Sequence, residues 1–395
     1  MFSHPFLSQF FFAPEALPLK DGDIVSLDKE LSEYEQVFMN PEVEQSLISK
    51  NELLASFAIS KAEDSQLTLR EAQDVYRLLL TDSAYDFMGR KLKTKQRLTQ
   101  KDHDKLEFFN IAKTFRTLNQ NPLVFKDLNP DFVRDIHRQI TQGLDIFKKY
   151  LPDFTVYKAG LWRDNDLIRV GDYIPGPAVQ IEHGVEELIA YLHAHQTPTG
   201  VAVFHAALYA LHPFNNGNKR VCRILEHVLL RALGLNNKNF YSTSYYYHTQ
   251  KKRYYKYLLY SLERKNLNHF VSLILEALAL SIVSVLKTSV EIGRGDFLHK
   301  QEPEETARIV LKPLIKRREQ QFKHLARATR GKLARQTLVN TLQKAVEGGF
   351  LMRREEGRAV YYRLNVSIPA YETLERWIRL VRERLPFIPD DIRLI

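Results

Sequence analysis

Thirteen contiguous residues, Leu211 to Arg223, hold the densest chemistry in this 395-residue chain. His212 precedes Pro213, and a residue before proline is pushed out of the helical region, so a helix ends there. Asn215, Asn216, Gly217 and Asn218 make a Gly/Asn loop. A new helix begins near Lys219, with Val221, Ile224, Leu225 and Val228 facing a core. The start of a helix presents unpaired backbone N–H groups, which attract an anion. Arg220 and Arg223 lie one turn apart on one side of that helix. Two guanidiniums beside such a nest suit a polyphosphate, and His212 stands at the loop mouth, where a general base is useful. Each element alone is commonplace: a histidine at a helix end, an N-G-N turn, a solvated R-x-x-R face. Their concurrence within thirteen residues points to phosphate chemistry.

Helices must position this loop, and helical periodicity dominates the chain. The spacing predicts helices over Glu30–Leu54, Thr68–Leu80, Asp102–Leu118 and Asn129–Gly143. Thr68 and Glu71 form an S/T-x-x-E capping box, and Asn129 caps a helix opened by Pro130. Between Tyr157 and Pro177 the glycines and prolines break the pattern. The short extended pieces Gly160–Arg163 and Leu167–Val170 read as a small β-hairpin. Helix returns over Ala178–His195, Val201–Leu211, Lys219–Leu233, Lys251–Leu262 and the apolar Asn268–Lys287. A polar stretch, Gly293 to Pro303, reads as a linker. Beyond it come helical stretches at Glu305–Lys316, Glu319–Arg330 and Ala334–Val346. Extended segments at Phe350–Arg354 and Arg358–Leu364 follow, joined by a Glu355–Glu356–Gly357 turn. Helix, helix, helix, hairpin is the layout of a winged helix.

Composition sets the class. Hydrophobic residues make up 44% and charged residues 26%, as in a folded globular chain and not a disordered one. A single cysteine, Cys222, excludes an intrachain disulfide framework and a cysteine-rich zinc site. Met1–Phe12 is apolar and rich in Phe, but no Lys or Arg precedes it as in a secretory signal, so an arm packed on the body is expected. Phe270–Leu286 carries Glu276 and is shorter than the roughly 20 residues that span a bilayer, so no membrane is expected. The net charge of +10 is concentrated: residues 303–365 hold 15 Lys/Arg and 6 Asp/Glu, or +9. That points the C-terminal segment at a polyanion. In a winged helix the third helix enters the major groove, and here it carries Arg335, Gln336, Asn340 and Lys344, whose side-chain types pair with base edges. Arg353, Arg354 and Arg358 would line the wing against phosphates.

The thirteen-residue stretch resembles the signature of the Fic (Fido) family, H-x-F-x-(D/E)-G-N-G-R-x-x-R, through His212, Phe214, Gly217, Asn218, Arg220 and Arg223. The likeness extends over about residues 50–275, with Gly160-Leu161-Trp162-Arg163 similar to the G-x-x-R that precedes the family's flap and a later Tyr254–Tyr255 pair. The resemblance implies a mainly α fold: a helical Fic core with a small β-hairpin flap, followed by the winged-helix domain. It implies transfer of AMP from ATP to a Ser, Thr or Tyr hydroxyl of a protein. His212 would take the hydroxyl proton. Backbone N–H groups of Gly217, Asn218 and Lys219 would hold the phosphates. Arg220 and Arg223 would offset the charge on the β and γ groups, and Tyr254 and Tyr255 would complete the nucleotide site. The flap residues Leu167, Ile168 and Val170 would align the target by main-chain pairing.

Two positions depart from the pattern. Asn216 stands where an Asp/Glu normally binds Mg2+, and a neutral amide is the weaker ligand for a hard cation. Lys219 replaces the second Gly of G-N-G, as in the Doc branch, whose members transfer the γ-phosphoryl group. The segment Ile59–Thr68 resembles an inhibitory helix, with Glu63 placed to pair with Arg223 and to orient a water that removes AMP from a modified target. Three functions follow: an AMP-transferring enzyme regulated or localised by DNA, a Doc-like protein kinase, or a DNA-binding regulator with an inactive core. The implied partners are ATP with Mg2+ in a weakened site, a protein substrate, DNA, and the protein itself as a target; a homodimer is left open. The implied location is cytoplasmic or nucleoid-associated, with delivery into another cell also open. The expected organisation is an N-terminal helical region over 1–100, the catalytic core over 101–290, a linker over 291–303 and the winged helix with its tail over 304–395.

Overall fold

The computed structural model describes residues 5–34, 41–81 and 87–385. Helices dominate: α1 (Asp21–Tyr34), α2 (Pro41–Ser60), α3 (Leu69–Leu80), α4 (Phe87–Lys93), α5 (Gln100–Gln120), α6 (Pro130–Thr141), α7 (Ile181–Ala194) and α8 (Pro198–Leu211). They continue with α9 (Asn218–Ala232), α10 (Thr243–Thr249), α11 (Lys251–Glu263), α12 (Asn268–Lys300), α13 (Glu305–Leu311), α14 (Phe322–Thr329), α15 (Arg335–Glu347) and α16 (Ala370–Arg384). Three strands, β1 (Gln320–Gln321), β2 (Leu351–Glu356) and β3 (Ala359–Leu364), lie in the C-terminal part. The described residues divide into two compact units, one within 1–32 and 39–281 and the other within 33–38 and 282–395.

In the first unit the expected start signals operate. Thr68 accepts a bond from the Glu71 N–H while the Glu71 carboxylate accepts from the Thr68 N–H, closing the capping box of α3. Asn129 accepts from the Phe132 N–H at 2.8 Å, and Pro130 opens α6. The apolar arm packs inward, with Leu7 and Phe10 buried and the Phe11 N–H bonded to the Lys265 carbonyl at 2.7 Å. The single helix expected over Glu30–Leu54 is replaced by α1 and α2, and residues 35–40 lie outside the described residues. Two helices carry the signature loop between them. Buried helix α8 is apolar almost throughout, and α9 buries all but a narrow face.

The small flap closes later than expected, and Gly160–Arg163 and Leu167–Val170 do not pair with each other. Those pieces are irregular, and the one ladder contact there is the mutual pair Val170/Tyr173 around Gly171–Asp172, with N–H···O distances of 3.0 and 3.2 Å. Side chains tie the neighbouring backbone instead: Arg163 donates to the Asn165 carbonyl, and Asp166 accepts from the Ala178 N–H at 2.7 Å.

The polar linker is likewise displaced by helix. Helix α12 runs on to Lys300, through Gly293 and Gly295. Each glycine costs about 1 kcal/mol in a helix. Burial of Val290, Arg294 and Leu298 on one face outweighs that, and Leu298 joins the C-terminal core. By length and composition α12 could cross a membrane, but 83% of its apolar window is buried.

The second unit has the order α13, β1, α14, α15, β2, β3 around a core of Val310, Leu314, Leu325, Leu338, Leu342 and Leu351. Its sheet is antiparallel with strand order β1-β3-β2, pairing Gln320 with Tyr362 and Met352 with Arg363. The helix expected over Glu319–Arg330 starts later, at Phe322, because Gln320 and Gln321 pair with β3.

The capping box fixes the chain directly after Glu63, so its removal is measurable. Thr68→Ala should lower stability by roughly 0.5–2 kcal/mol. Urea unfolding should show a lower midpoint at unchanged slope.

Candidate active site

The loop between α8 and α9 is held by its own side chains. Helix α8 ends on His212 in the left-handed region, at φ 50° and ψ 60°. The Asn218 side chain bridges the turn, accepting from the Phe214 N–H at 3.0 Å and donating to the Phe214 carbonyl at 2.8 Å. Gly217 caps α9 at φ 86°, a conformation that favours glycine. Phe214 is fully buried and stacks on His137 of α6 at 3.8 Å between ring centroids. The sequence reading passed over His137, which looks like any histidine on a buried helix face. It accepts from the Gly160 N–H on Nδ1 at 3.0 Å, which requires the proton on Nε2, and that atom donates to the Asn216 carbonyl at 3.1 Å. Burial pushes its pKa down to about 3, so the ring stays neutral and joins the signature loop to the Gly160 turn.

Arg163 anchors His212 from behind. Its guanidinium is buried, and Nε donates to the His212 carbonyl at 2.9 Å. Its remaining donors reach the Asn165 carbonyl, Asp166 and the Gly176 carbonyl, and its N–H bonds the Pro213 carbonyl at 2.8 Å. One residue thus ties the 165–176 segment to the residue that carries the imidazole. Burial pushes the His212 pKa down to about 4, Arg163 and Lys219 add to the fall, and the Tyr209 carbonyl opposes it. The ring is therefore neutral at pH 7, the form that accepts a proton. Among the described residues its Nδ1 has no hydrogen-bond partner.

A cleft of about 380 Å3 opens beside His212, lined among others by Glu63, Arg169, Asn216, Gly217, Lys219 and Tyr255. Asn218, Lys219 and Arg220 open α9, so their N–H groups have no helical acceptor. Gly217 differs from expectation, because its N–H already donates to Asn216 Oδ1 at 2.7 Å. The same oxygen accepts from Arg220 at 3.2 Å. An amide oxygen bonded to a guanidinium does not suit a divalent cation. Among the described residues no group of three His, Cys, Asp or Glu side chains converges as metal ligands either. The residues present do not fit Mg2+.

The two arginines expected on the phosphates lie behind the loop. Arg220 is 1% exposed and ion-paired with Glu107 of α5, with Tyr157 beside it. Burial opposes the charge on Arg220, but Glu107 outweighs it and pushes the pKa up. Arg223 is 2% exposed, donates to the Ala58 carbonyl at 3.1 Å, and lies 4.4 Å from the ring centre of Tyr254. Neither lines the cleft. Tyr254 is fully buried, with its hydroxyl 3.3 Å from His205, so it is core and not cleft. Helical spacing shows that Arg220 and Arg223 share a side, but it does not show which side is covered; the covering helix α5 and the end of α2 are distant in sequence.

Glu63 reaches the cleft but meets a different partner from the one expected. Its carboxylate lies 3.3 Å from Lys219 Nζ, while Arg223 is held by Ala58. The Tyr255 ring stacks under the same ammonium at 4.8 Å, and its hydroxyl donates to the Ala62 carbonyl. Lys219 is thus the signature cation on the open side. Along the flap, Leu167 is 88% exposed, Ile168 is half-buried and Val170 is buried, so the three do not share one face. Gly171 sits at the tip at φ 59°, a left-handed conformation that favours glycine.

In the C-terminal unit, Arg335, Gln336, Asn340 and Lys344 are exposed on α15. Gln336 donates to Asn340 at 2.9 Å. Arg353 pairs with Glu355, and Arg354 pairs with both Glu319 and Glu356, so these two are already neutralised; Arg358 stands exposed at the turn.

The buried pair beneath the loop has a measurable consequence. Glu107→Ala leaves a guanidinium buried without its carboxylate and should destabilise the protein by roughly 3–5 kcal/mol. Urea unfolding of the variant against the parent protein checks this.

Residues 127–230 match the sequence model of the Fic/DOC family. No curated protein matches the chain. Solved structures similar to it include a Fic family protein from Desulfovibrio desulfuricans, 18% identical, covering 88% of this chain and 97% of that one with a TM-score of 0.46. A Fic domain containing signaling protein from Bacteroides thetaiotaomicron is 16% identical over 67% of this chain and 97% of its own, with a TM-score of 0.46. Fic-1 from C. elegans is 15% identical over 68% of this chain and 71% of its own, with a TM-score of 0.47. The segment that builds the His212 loop, with α6 beneath it and α9 beyond it, is a Fic/DOC family domain, of a superfamily whose general chemistry is nucleotide transfer.

Proposed function

We propose that the protein transfers AMP from ATP to a Ser, Thr or Tyr hydroxyl of a protein, itself included. The observation that carries the reading is a neutral His212 facing a cleft whose floor is the open start of α9. His212 takes the hydroxyl proton; the oxygen attacks the α-phosphorus in line; the bond to the bridging oxygen breaks and pyrophosphate leaves. The N–H groups of Asn218 and Lys219 bind phosphate oxygens, and the Lys219 ammonium offsets their charge once it leaves Glu63. No step is routed through a metal ion. Glu63 acts as the inhibitory carboxylate by occupying Lys219. The exposed Leu167 and its neighbours receive the target segment.

A second reading has one observation in its favour. Lys219 is the signature cation on the open side, which suits a nucleotide bound with its γ-phosphate toward His212 and transfer of that group instead. Intact mass after incubation with ATP separates the two: a gain of one adenylyl group supports the first and a gain of one phosphate the second. His212→Ala should reduce either gain by at least 100-fold, within the range attributed to a general base. No gain in the parent protein defeats both.

The C-terminal unit is read as a winged helix that binds DNA. Its element order and three-stranded sheet support this, as does the exposed face of α15. Phosphate contacts fall to Arg358 and to the cations around the α14–α15 turn, Arg327, Arg330 and Lys332, more than to the paired Arg353 and Arg354. Binding to duplex DNA should weaken with salt, by a slope of about −0.9 in log K against log salt per phosphate neutralised. Arg335→Ala should cost about 1–3 kcal/mol in the same titration. A salt-independent affinity overturns this reading.

A further inference from the structure

The C-terminal unit encloses a cavity of about 300 Å3 between the end of β3, the segment 365–369 and the start of α16. Arg294 of α12, Arg318 and Arg363 of β3 all line it, together with Asn365, Ser367 and Tyr371. Arg294 is 7% exposed. Among the described residues its guanidinium makes one hydrogen bond, from Nη1 to the Ile315 carbonyl at 3.3 Å, and no ion pair. Five donors on a buried cation normally find a carboxylate or several carbonyls, since an underpaired buried charge is costly. Arg363 likewise has no carboxylate partner among the described residues; its Nη2 reaches the Met352 sulfur at 3.3 Å. Arg318 differs, donating to Glu375 at 2.6 Å and to the Tyr371 hydroxyl at 3.0 Å. The Tyr371 ring lies 4.1 Å from one guanidinium, Arg318, and 5.4 Å from the other, Arg294. Glu372 also lines the cavity and Glu291 lies near Arg294 along α12, but among the described residues neither forms an ion pair with Arg294 or Arg363, and Glu375 is taken by Arg318.

We infer that this cavity is a binding site for a small, multiply charged oxyanion, a phosphate ester or a polycarboxylate, held between Arg294 and Arg363 with Asn365 and Ser367 at its rim. Guanidiniums recognise such groups through paired N–H donors, which water in the cavity replaces only in part. The volume lies at the lower end of small-molecule sites, which sets the size of the ligand at a compact metabolite. Burial pushes the Arg294 pKa down, and a bound dianion relieves that penalty. The inference is independent of the chemistry proposed for the His212 cleft.

Thermal unfolding of the full chain tests it, with sodium pyrophosphate and with citrate as probes, each against sodium chloride at equal ionic strength. One of the two probes should raise Tm saturably above the chloride control. The rise should persist in Lys219→Ala and in Arg335→Ala, which alter the cleft and the α15 face, and vanish in Arg363→Ala. Ser367→Phe fills the rim at an exposed position without removing a charge, and should abolish the rise even if Arg363→Ala fails to fold. A response to pyrophosphate alone identifies a phosphate ester as the ligand class, and a response to citrate alone a polycarboxylate. The inference is overturned if neither probe exceeds the chloride control, if Lys219→Ala or Arg335→Ala removes the rise, or if Ser367→Phe leaves it unchanged.

Discussion

The ion pair between Glu107 and Arg220 holds the start of α9 against α5, and the rest of the site is arranged on that contact. Both groups are buried, so the pair is stable only while complete. Its geometry fixes more than a distance. Arg220 also bonds the Asn216 side chain, which in turn takes the Gly217 N–H. The loop therefore rests on a buried charge, while Asn218 and Lys219 at the start of α9 line the cleft.

Two further clamps act on the same loop from other directions. His137 joins the Asn216 carbonyl to the Gly160 N–H, and Arg163 joins the His212 carbonyl to the 165–176 segment. Residues as far as 79 positions apart in sequence are thus bonded through neutral or fully enclosed groups. Such enclosure strengthens hydrogen bonds and removes competing water. It also keeps both imidazoles uncharged, His137 as a fixed strut and His212 with an open edge toward the cleft.

Much of this was legible in the residues. The α3 and α6 starts follow from Thr68–Glu71 and Asn129–Pro130, where local chemistry decides the outcome. The signature loop was legible because Pro213 and Gly217 restrict the backbone whatever surrounds them. The depth of Arg220 and Arg223 was not, because a helix face is polar or buried according to neighbours that are distant in sequence. Glu63 was found at the cleft, yet its partner is Lys219, since Arg223 is screened by α2 and the tyrosines of α10 and α11. The flap and the linker misled for different reasons: pairing in the flap closed around Gly171–Asp172 and not between the two extended pieces, and packing overrode glycine in the linker.

The position of those two arginines behind the loop divides the signature into a half that the fold needs and a half that it does not. Substitution of Arg220 or Arg223 takes a buried cation from its partners, so its first effect falls on folding and on the amount of protein recovered. Lys219 and Glu63 are partly exposed, so substitution there leaves the scaffold standing.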